Sequence, residues 1–318
     1  MSVERELSVY KPDSETVLTI GVFDGVHLGH QFLLSKLKEQ ALSKGLPCGV
    51  ITFRQHPLEI LCPGTHLPLI TDAEEKASLL KYEDIDIVVT LNFTQQLASL
   101  TPIDFLGLLK KYLRVRYMVI GPDFAMGHGR EGTIQKMHEL GRKMGIDVEV
   151  VIPMKIRGEV TSSTAIRKAL ADGDMGKVRR MLGRYFRLRG PVVTGEKRGT
   201  GLGFPTANLE AESRQALPDG GIYATLVYIN GEALHSVTNI GTRPTFDGKK
   251  RTVEIHILDF KGDIYGRYIR VDFIQRLRGE KCFESIEELK NQISEDIAQS
   301  RQIFDDIQKV TVRNKKKL

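Results

Sequence analysis

Cysteine is scarce in this chain: three residues, Cys48, Cys62 and Cys282, are scattered through 318 positions. An odd, dispersed set excludes a disulfide framework, and Cys48, inside the strand-like run CGVITF, reads as core. No CxxC or HExxH pattern occurs, so His56, Cys62 and His66 lack the fourth ligand that a zinc site requires. Apolar runs are short as well. None approaches the roughly 20 residues of a membrane span, and the N-terminal MSVERELSVYKPDSE carries acids where an export signal carries an apolar core. The expected location is the cytoplasm. The glycine-rich segment over residues 195–209 matches neither GxxxxGK[ST] nor a GxGxxG in a βαβ context, so Walker-type and dinucleotide-fold readings fail for it.

What is present describes a soluble globular protein: 41% hydrophobic residues, 27% charged residues and 30 glycines. At 318 residues the chain exceeds what one hydrophobic core comfortably fills, so two domains are expected. The net charge of +6 makes acidic partners plausible. The basic residues are dispersed, however, and the one basic run, VRNKKKL at the C-terminus, reads as a solvated tail rather than a nucleic-acid grip.

From residue 17 to about 152, the strand-like runs VLTIGVF, CGVITF, IDIVVTL, RYMVIG and VEVVIP alternate with amphipathic segments. This is the pattern of βαβ units feeding a doubly wound parallel sheet, whose ligands bind beyond the C-terminal strand ends. Residues 28–43 place Leu33, Leu34, Leu37, Ala41 and Leu42 at helical spacing, and DAEEKASLLKY and DFLGLLKKY are similar. Near residue 182 the pattern changes. FRLRGPVVTG, GIYATLVYIN, LHSVTNIG, RTVEIHILDF and RYIRVDFIQRL follow without intervening helices, separated by turns such as Asn230-Gly231 and Asp247-Gly248. These predict a small antiparallel β-barrel. A final helix over 284–309 carries Ile286, Leu289, Ile293, Ile297, Phe304 and Ile307 on one face. The expected division is therefore 1–182 and 183–318.

Two constellations carry chemistry. In GVFDGVHLGHQ, His27 and His30 stand three residues apart at a helix start, where orphan N–H groups and the positive dipole end favour an anion. Metal binding, proton transfer and a pair of structural histidines are alternatives on these residues alone. At the other end of the α/β region, TSSTAIR supplies the hydroxyls of Ser162, Ser163 and Thr164 at a helix cap and, one turn on, the guanidinium of Arg167, which can grip phosphate oxygens in bidentate fashion. The second constellation is GEKRGTGLGFPTANL. Its glycines let backbone approach a ligand, and an extended PTAN turns the oxygens of Thr206 and Asn208 to the same side, hard ligands suited to Mg²⁺. In RTVEIHILDF, Val253, Ile255 and Ile257 alternate with Glu254, His256 and Leu258, so Glu254 is either a solvated strand carboxylate or a proton acceptor.

Taken together, GVFDGVHLGHQ, TFRQHP, GPDFAMGHGREG and TSSTAIR, followed by GxxxGxxxGxPTAN over residues 195–208, resemble the bacterial bifunctional riboflavin kinase/FMN adenylyltransferase family across essentially the whole chain. The resemblance implies an N-terminal HxGH nucleotidyltransferase domain and a C-terminal kinase barrel. It further implies riboflavin, FMN, FAD and ATP as substrates and products, with Mg²⁺ as the metal. By the same resemblance His27, His30, Ser163, Thr164 and Arg167 hold ATP phosphates, and Gly21, Phe23, Asp24 and Gly29 complete that element. Asp123 and Phe124 lie on the flavin side. In the barrel, Gly195, Gly199 and Gly203 form the nucleotide loop, Thr206 and Asn208 take the metal, Glu254 is the catalytic carboxylate, and Arg276 and Arg278 are candidates for ligand contacts. The chain departs from the family at Gln55, where proline is expected, and at Ala125 and Met126, where Arg and Phe are usual. Loss of that arginine would weaken a flavin-phosphate contact. Alternatives are a chain retaining one of the two activities, or a flavin-sensing or RNA-binding regulator on the same scaffold.

Overall fold

Five parallel strands organise the N-terminal unit: β1 (Thr16–Ile20), β2 (Cys48–Phe53), β3 (Ile87–Leu91), β4 (Val115–Ile120) and β5 (Asp147–Val150), in the order β3-β2-β1-β4-β5. The computed structural model describes residues 2–152, 155–156, 158–195, 198–245 and 248–315. Glu196 and Lys197 of the glycine-rich segment, Asp247 of the expected turn and the last three residues of the basic tail lie outside them.

Every residue of β1 and β2 is buried, as central strands covered on both faces require. Alternate side chains feed two cores. Leu18, Ile20, Ile51, Met118 and Ile120 pack with the helices Pro102–Leu113 and Ile134–Met144, whereas Val17, Val50 and Val119 pack with α1 (Leu28–Lys44) and α2 (Ala73–Tyr82). Strand order reverses beside β1, between β1 and β4, and an open α/β sheet offers its ligand crevice at the C-terminal ends of such strands. The helix Ile134–Met144 was not among the expected elements. Its apolar positions Ile134, Met137, Leu140 and Met144 are diluted by charged and glycine residues, and it is recognisable as the crossover between β4 and β5. In α1, Leu34, Leu37 and Ala41 are buried as expected, but Leu42 is 86% exposed because the helix meets the sheet along the other stripe.

The chain divides into two compact units between Ser163 and Thr164. In the second, α3 (Ser163–Ala171, which begins at the boundary) and α4 (Met175–Leu182) precede a closed six-stranded antiparallel barrel. Its strands are β6 (Phe186–Val193), β7 (Ala207–Leu209), β8 (Gly221–Ile229), β9 (Glu232–Thr245), β10 (Gly248–Ile257) and β11 (Tyr268–Arg278), closed in the order β6-β7-β10-β9-β8-β11. Tyr223, Phe186 and Phe273 fill its interior, and a buried hydroxyl chain links Ser236, Thr225 and Thr238 at 2.7 Å per step. Asn230-Gly231 makes the β8–β9 hairpin with φ of 52° and 88°, the primed turn that an Asn-Gly pair favours.

The closing helix, α5 (Ile286–Lys315), docks through Asp296, Ser300 and Phe304, four residues apart, with Ile293, Ile297, Ile303 and Ile307 half-buried beside them. Ile286, expected on that face, is 66% exposed. The buried stripe is set by Asp296, which the barrel claims through Arg278. Leu258, expected beside Glu254, is buried instead, because β10 ends at Ile257 and the chain then turns.

Candidate functional sites

In the first unit the turn Gly21–His27 leaves β1 at its C-terminal end and enters α1. Phe23, Gly25 and Val26 take positive φ values of 52°, 84° and 37°. Two non-glycine residues in that region hold their conformation only when their surroundings over-determine it. Here Asp24, 3% exposed, accepts from the amides of Ile70 (3.0 Å) and Thr71 (3.1 Å), while Gly25 N–H donates to Thr71 Oγ1 at 3.1 Å. Ser163 Oγ donates to the Asp24 carbonyl at 2.9 Å.

The turn ends on His27, which caps α1: its Nδ1 accepts from the His30 amide at 3.2 Å. An Nδ1 that accepts leaves the ring proton on Nε2, so His27 keeps a donor suited to an anion. The His27 and His30 rings stack with centroids 3.6 Å apart and planes 14° apart, and Phe23 packs on His30. Gly29 is required by proximity. A Cβ there would lie 3.1 Å from His27 Cε1 and 3.2 Å from the Thr161 carbonyl oxygen. The structure therefore brings Gly21, Phe23, Asp24, His27, Gly29, His30 and Ser163 into one neighbourhood. Asp24 turns its carboxylate to backbone amides, which makes it an anchor of the turn.

Thr164 (exposed) and Arg167 (half-buried) follow Ser163 along α3 and belong to the second compact unit. Asp123 is exposed in the turn after β4, and Phe124 packs against the core. Ala125 and Met126 form a short ribbon with Gly132 and Thr133, and Met126, 9% exposed, fills core space. Gln55 donates to the Phe93 carbonyl at 2.9 Å, tying together the chain ends beyond β2 and β3. His56 caps the short helix Pro57–Leu61 through Nδ1. Among the described residues no group of three or more His, Cys, Asp or Glu could hold a metal ion.

Sequence reasoning missed Lys76. It lies on the sheet-facing side of α2, is 5% exposed, and donates through Nζ to the carbonyls of Val22 (3.1 Å) and Phe53 (2.5 Å). Burial pushes this ammonium down to about 8, with Asp24 opposing the shift. The available signal was a lysine four residues before the buried Leu80 on an amphipathic helix.

In the barrel, Asn208 of β7 stands directly opposite Glu254 of β10, and Asn239 of β9 faces Glu254 from the other side. Cross-strand neighbours share a face, so two amides flank one carboxylate on the barrel exterior. Asn239 was not anticipated from sequence, since only the β9–β10 register reveals it. The glycine-rich segment closes over this row. A Cβ at Gly195 would lie 2.0 Å from Asn208 Nδ2, and one at Gly199 would lie 3.3 Å from Thr206 Oγ1 and 2.3 Å from the Phe204 carbonyl. Gly203, at φ 92°, makes the turn into PTAN. His256 Nδ1 bonds the Pro205 carbonyl at 2.8 Å, holding that turn. Hydroxyl, amide and carboxylate oxygens on one face, approached closely by Gly195 and Gly199, are a donor set that fits a hard divalent cation.

Arg276 pairs with Asp219 at 2.7 Å, and a Cβ on Gly173 would lie 2.8 Å from its Nη1. Arg278 makes a two-pronged pair with Asp296 at 2.9 and 2.8 Å, with side chains 14% and 4% exposed. To reach a ligand Arg278 would have to abandon α5.

The first arrangement suits an anionic phosphate and the second a hard cation of the kind that accompanies one, and the class they define is a two-unit protein of nucleotide chemistry. Comparison with known proteins narrows it. Residues 10–165 match the FAD synthetase family model and residues 182–304 match the riboflavin kinase family model. A bifunctional riboflavin kinase/FMN adenylyltransferase of Escherichia coli K12 is 40% identical over 295 residues, 92% of this chain and 94% of that one. Its counterpart in Bacillus subtilis is 33% identical over 306 residues, 95% and 96% of the two chains. A crystal structure from Streptococcus pneumoniae, named a macrolide-efflux protein, aligns with a TM-score of 0.86 at 32% identity, covering 93% of this chain and 96% of that one. The chain belongs to the bifunctional riboflavin kinase/FMN adenylyltransferase family. No helix among the described residues is long and apolar enough to cross a membrane.

Proposed function

We propose that this chain carries out both steps of flavin-cofactor synthesis, phosphorylating riboflavin with ATP to give FMN and adenylylating FMN with a second ATP to give FAD and pyrophosphate. The observation that carries the reading is the succession of the two family matches in one chain. They support assigning residues 1–182 to adenylyl transfer and 183–318 to the kinase.

In adenylyl transfer an FMN phosphate oxygen bonds to the α-phosphorus of ATP as the bond to pyrophosphate breaks. That nucleophile is ionised at neutral pH, so no general base is needed and the work is alignment and charge neutralisation. His27 and His30, on the N-terminus of α1, serve as donors to the nucleotide phosphates, and Gly21, Phe23, Asp24 and Gly29 hold that geometry. Ser163, Thr164 and Arg167 are proposed as further phosphate contacts, and Asp123 and Phe124 as flavin contacts.

The kinase step starts from a neutral 5′-hydroxyl, so a proton must leave as the oxygen bonds to the γ-phosphorus and ADP departs. Glu254 is proposed as its acceptor. Thr206 and Asn208, beneath the Gly195–Gly203 segment, are the candidates to hold Mg²⁺, which when bound screens the phosphate charge. Asn239 orients Glu254 from the opposite strand, and Arg276 is the candidate for a ligand contact at the barrel end. The reading places the protein in the cytoplasm, where ATP is made available.

The test is incubation with riboflavin, ATP and Mg²⁺ followed by chromatography of the flavins. FMN and then FAD are expected, and absence of any phosphorylated flavin would refute the proposal.

A further inference from the structure

The helix α2 contributes one charged group to the HxGH neighbourhood, and it does so from inside the fold. Lys76 Nζ bridges two backbone carbonyls, Val22 just beyond β1 and Phe53 at the end of β2. Thr52 Oγ1 donates to the same Val22 carbonyl at 3.0 Å. Two residues after Val22, the Asp24 carboxylate is bound by the amides of Ile70 and Thr71, which lie just before α2. The turn carrying Phe23, Gly25 and Val26 at positive φ is thus fastened on both sides to one segment, residues 70–76.

Burying an ammonium to brace a turn carries a desolvation cost that a neutral side chain would avoid, and the Asp24 carboxylate offsets it only in part. Lys76 is 5% exposed, and desolvation lowers its affinity for the proton. Such a group is retained where geometry matters more than stability. The turn it fastens at Val22 ends five residues later at His27, whose Nδ1 cap and ring stack fix His30.

We infer that Lys76 is a positioning residue of adenylyl transfer: by holding the Val22 and Phe53 carbonyls together it sets the place of the His27–His30 pair relative to the sheet edge. The inference rests on the proposed function. It assigns to α2 a part in the reaction that the HxGH signature does not contain.

The test measures FMN formation from riboflavin and FAD formation from FMN in the same preparation. Wild-type protein must form FAD, and if it does not, the proposed function itself fails. With that established, Lys76→Met is expected to lower kcat for FAD formation roughly 10- to 100-fold, with the KM for FMN changed by less than about threefold, because misplacement of an aligning group by about 1 Å acts on the transition state. FMN formation should stay at the wild-type rate. Lys76→Arg, which keeps charge and donors, should recover much of the loss. A Lys76→Met protein with wild-type kcat overturns the inference, as does a loss shared equally by both reactions. Should the methionine variant fail to fold, Lys76→Gln, which keeps two N–H donors, replaces it under the same criteria.

Discussion

Replacing Gly195 by alanine adds one methyl group at a site where the space is already filled. The new Cβ would stand 2.0 Å from Asn208 Nδ2, 2.6 Å from Cγ and 3.0 Å from Oδ1. Carbon and nitrogen need about 3.5 Å, so the whole amide must retreat by more than 1 Å. The backbone of Asn208 cannot follow, because β7 is paired to β6 at Val193 and to β10 at Glu254. The displacement therefore falls on the side-chain torsions, and the amide loses its station beside Glu254. Overpacking of this kind costs roughly 1–3 kcal/mol of stability, which a closed barrel tolerates. A shift of about 1 Å in an aligning group costs about 100-fold in rate. The expected result is FMN formation reduced about 100-fold with a retained unfolding transition, while FAD formation from FMN is unchanged. Initial rates of the two reactions, followed by chromatography on one preparation, provide the measurement. An alanine protein making FMN within about threefold of wild type would refute the assignment of Asn208 to the kinase centre.

Three further outcomes are expected. His30→Ala should retain FMN production and lose FAD, whereas Glu254→Gln should lose riboflavin phosphorylation and still adenylylate supplied FMN; equal loss of both activities in either variant would contradict the two-centre assignment. Asp296→Ala leaves the Arg278 guanidinium, 14% exposed, without its carboxylate, and should destabilise the barrel unit by about 3–5 kcal/mol in urea unfolding. Lys76 binds its proton less tightly when folded, about 8 against an ordinary 10.5, so the unfolded chain holds more protons between those values and its penalty is relieved as pH rises through them. The stability of wild type relative to Lys76→Met should therefore increase by about 3 kcal/mol from pH 8 to 10.5, and parallel pH profiles for the two proteins would rule this out.

The architecture was legible because its signals are local. Buried β-branched runs, a 3.6-residue apolar period and Asn230-Gly231 specify strands, helices and a primed hairpin from the residues themselves. The failures share one cause. Ile286 and Leu42 satisfy the helical period yet point to solvent, because which stripe of a helix is buried depends on the partner. For α5 the partner is a charged group: Arg278 draws Asp296 into a face that hydropathy reserves for leucine and isoleucine. The helix Ile134–Met144 escaped notice for the complementary reason, since four apolar side chains suffice once the sheet supplies the remaining cover.

The candidate sites divide the same way. His27, His30, Thr206 and Asn208 lie in contiguous motifs whose spacing carries the chemistry, and the HxGH cap and the PTAN strand formed where that spacing put them. Asn239 and Lys76 have no such motif. Asn239 meets Glu254 only through strand register, a long-range quantity that one strand read alone does not contain. Lys76 is harder still, because a lysine on an amphipathic helix is ordinarily solvated and its place four residues before the buried Leu80 is a weak mark for burial. The stronger mark lies outside the helix, where the Val22 carbonyl after β1 turns inward to accept from Thr52 Oγ1 and Lys76 Nζ together. The strained turn that ends at His27 and the lysine that supports it are thus separated by about fifty residues in the chain but joined by one hydrogen-bonded carbonyl.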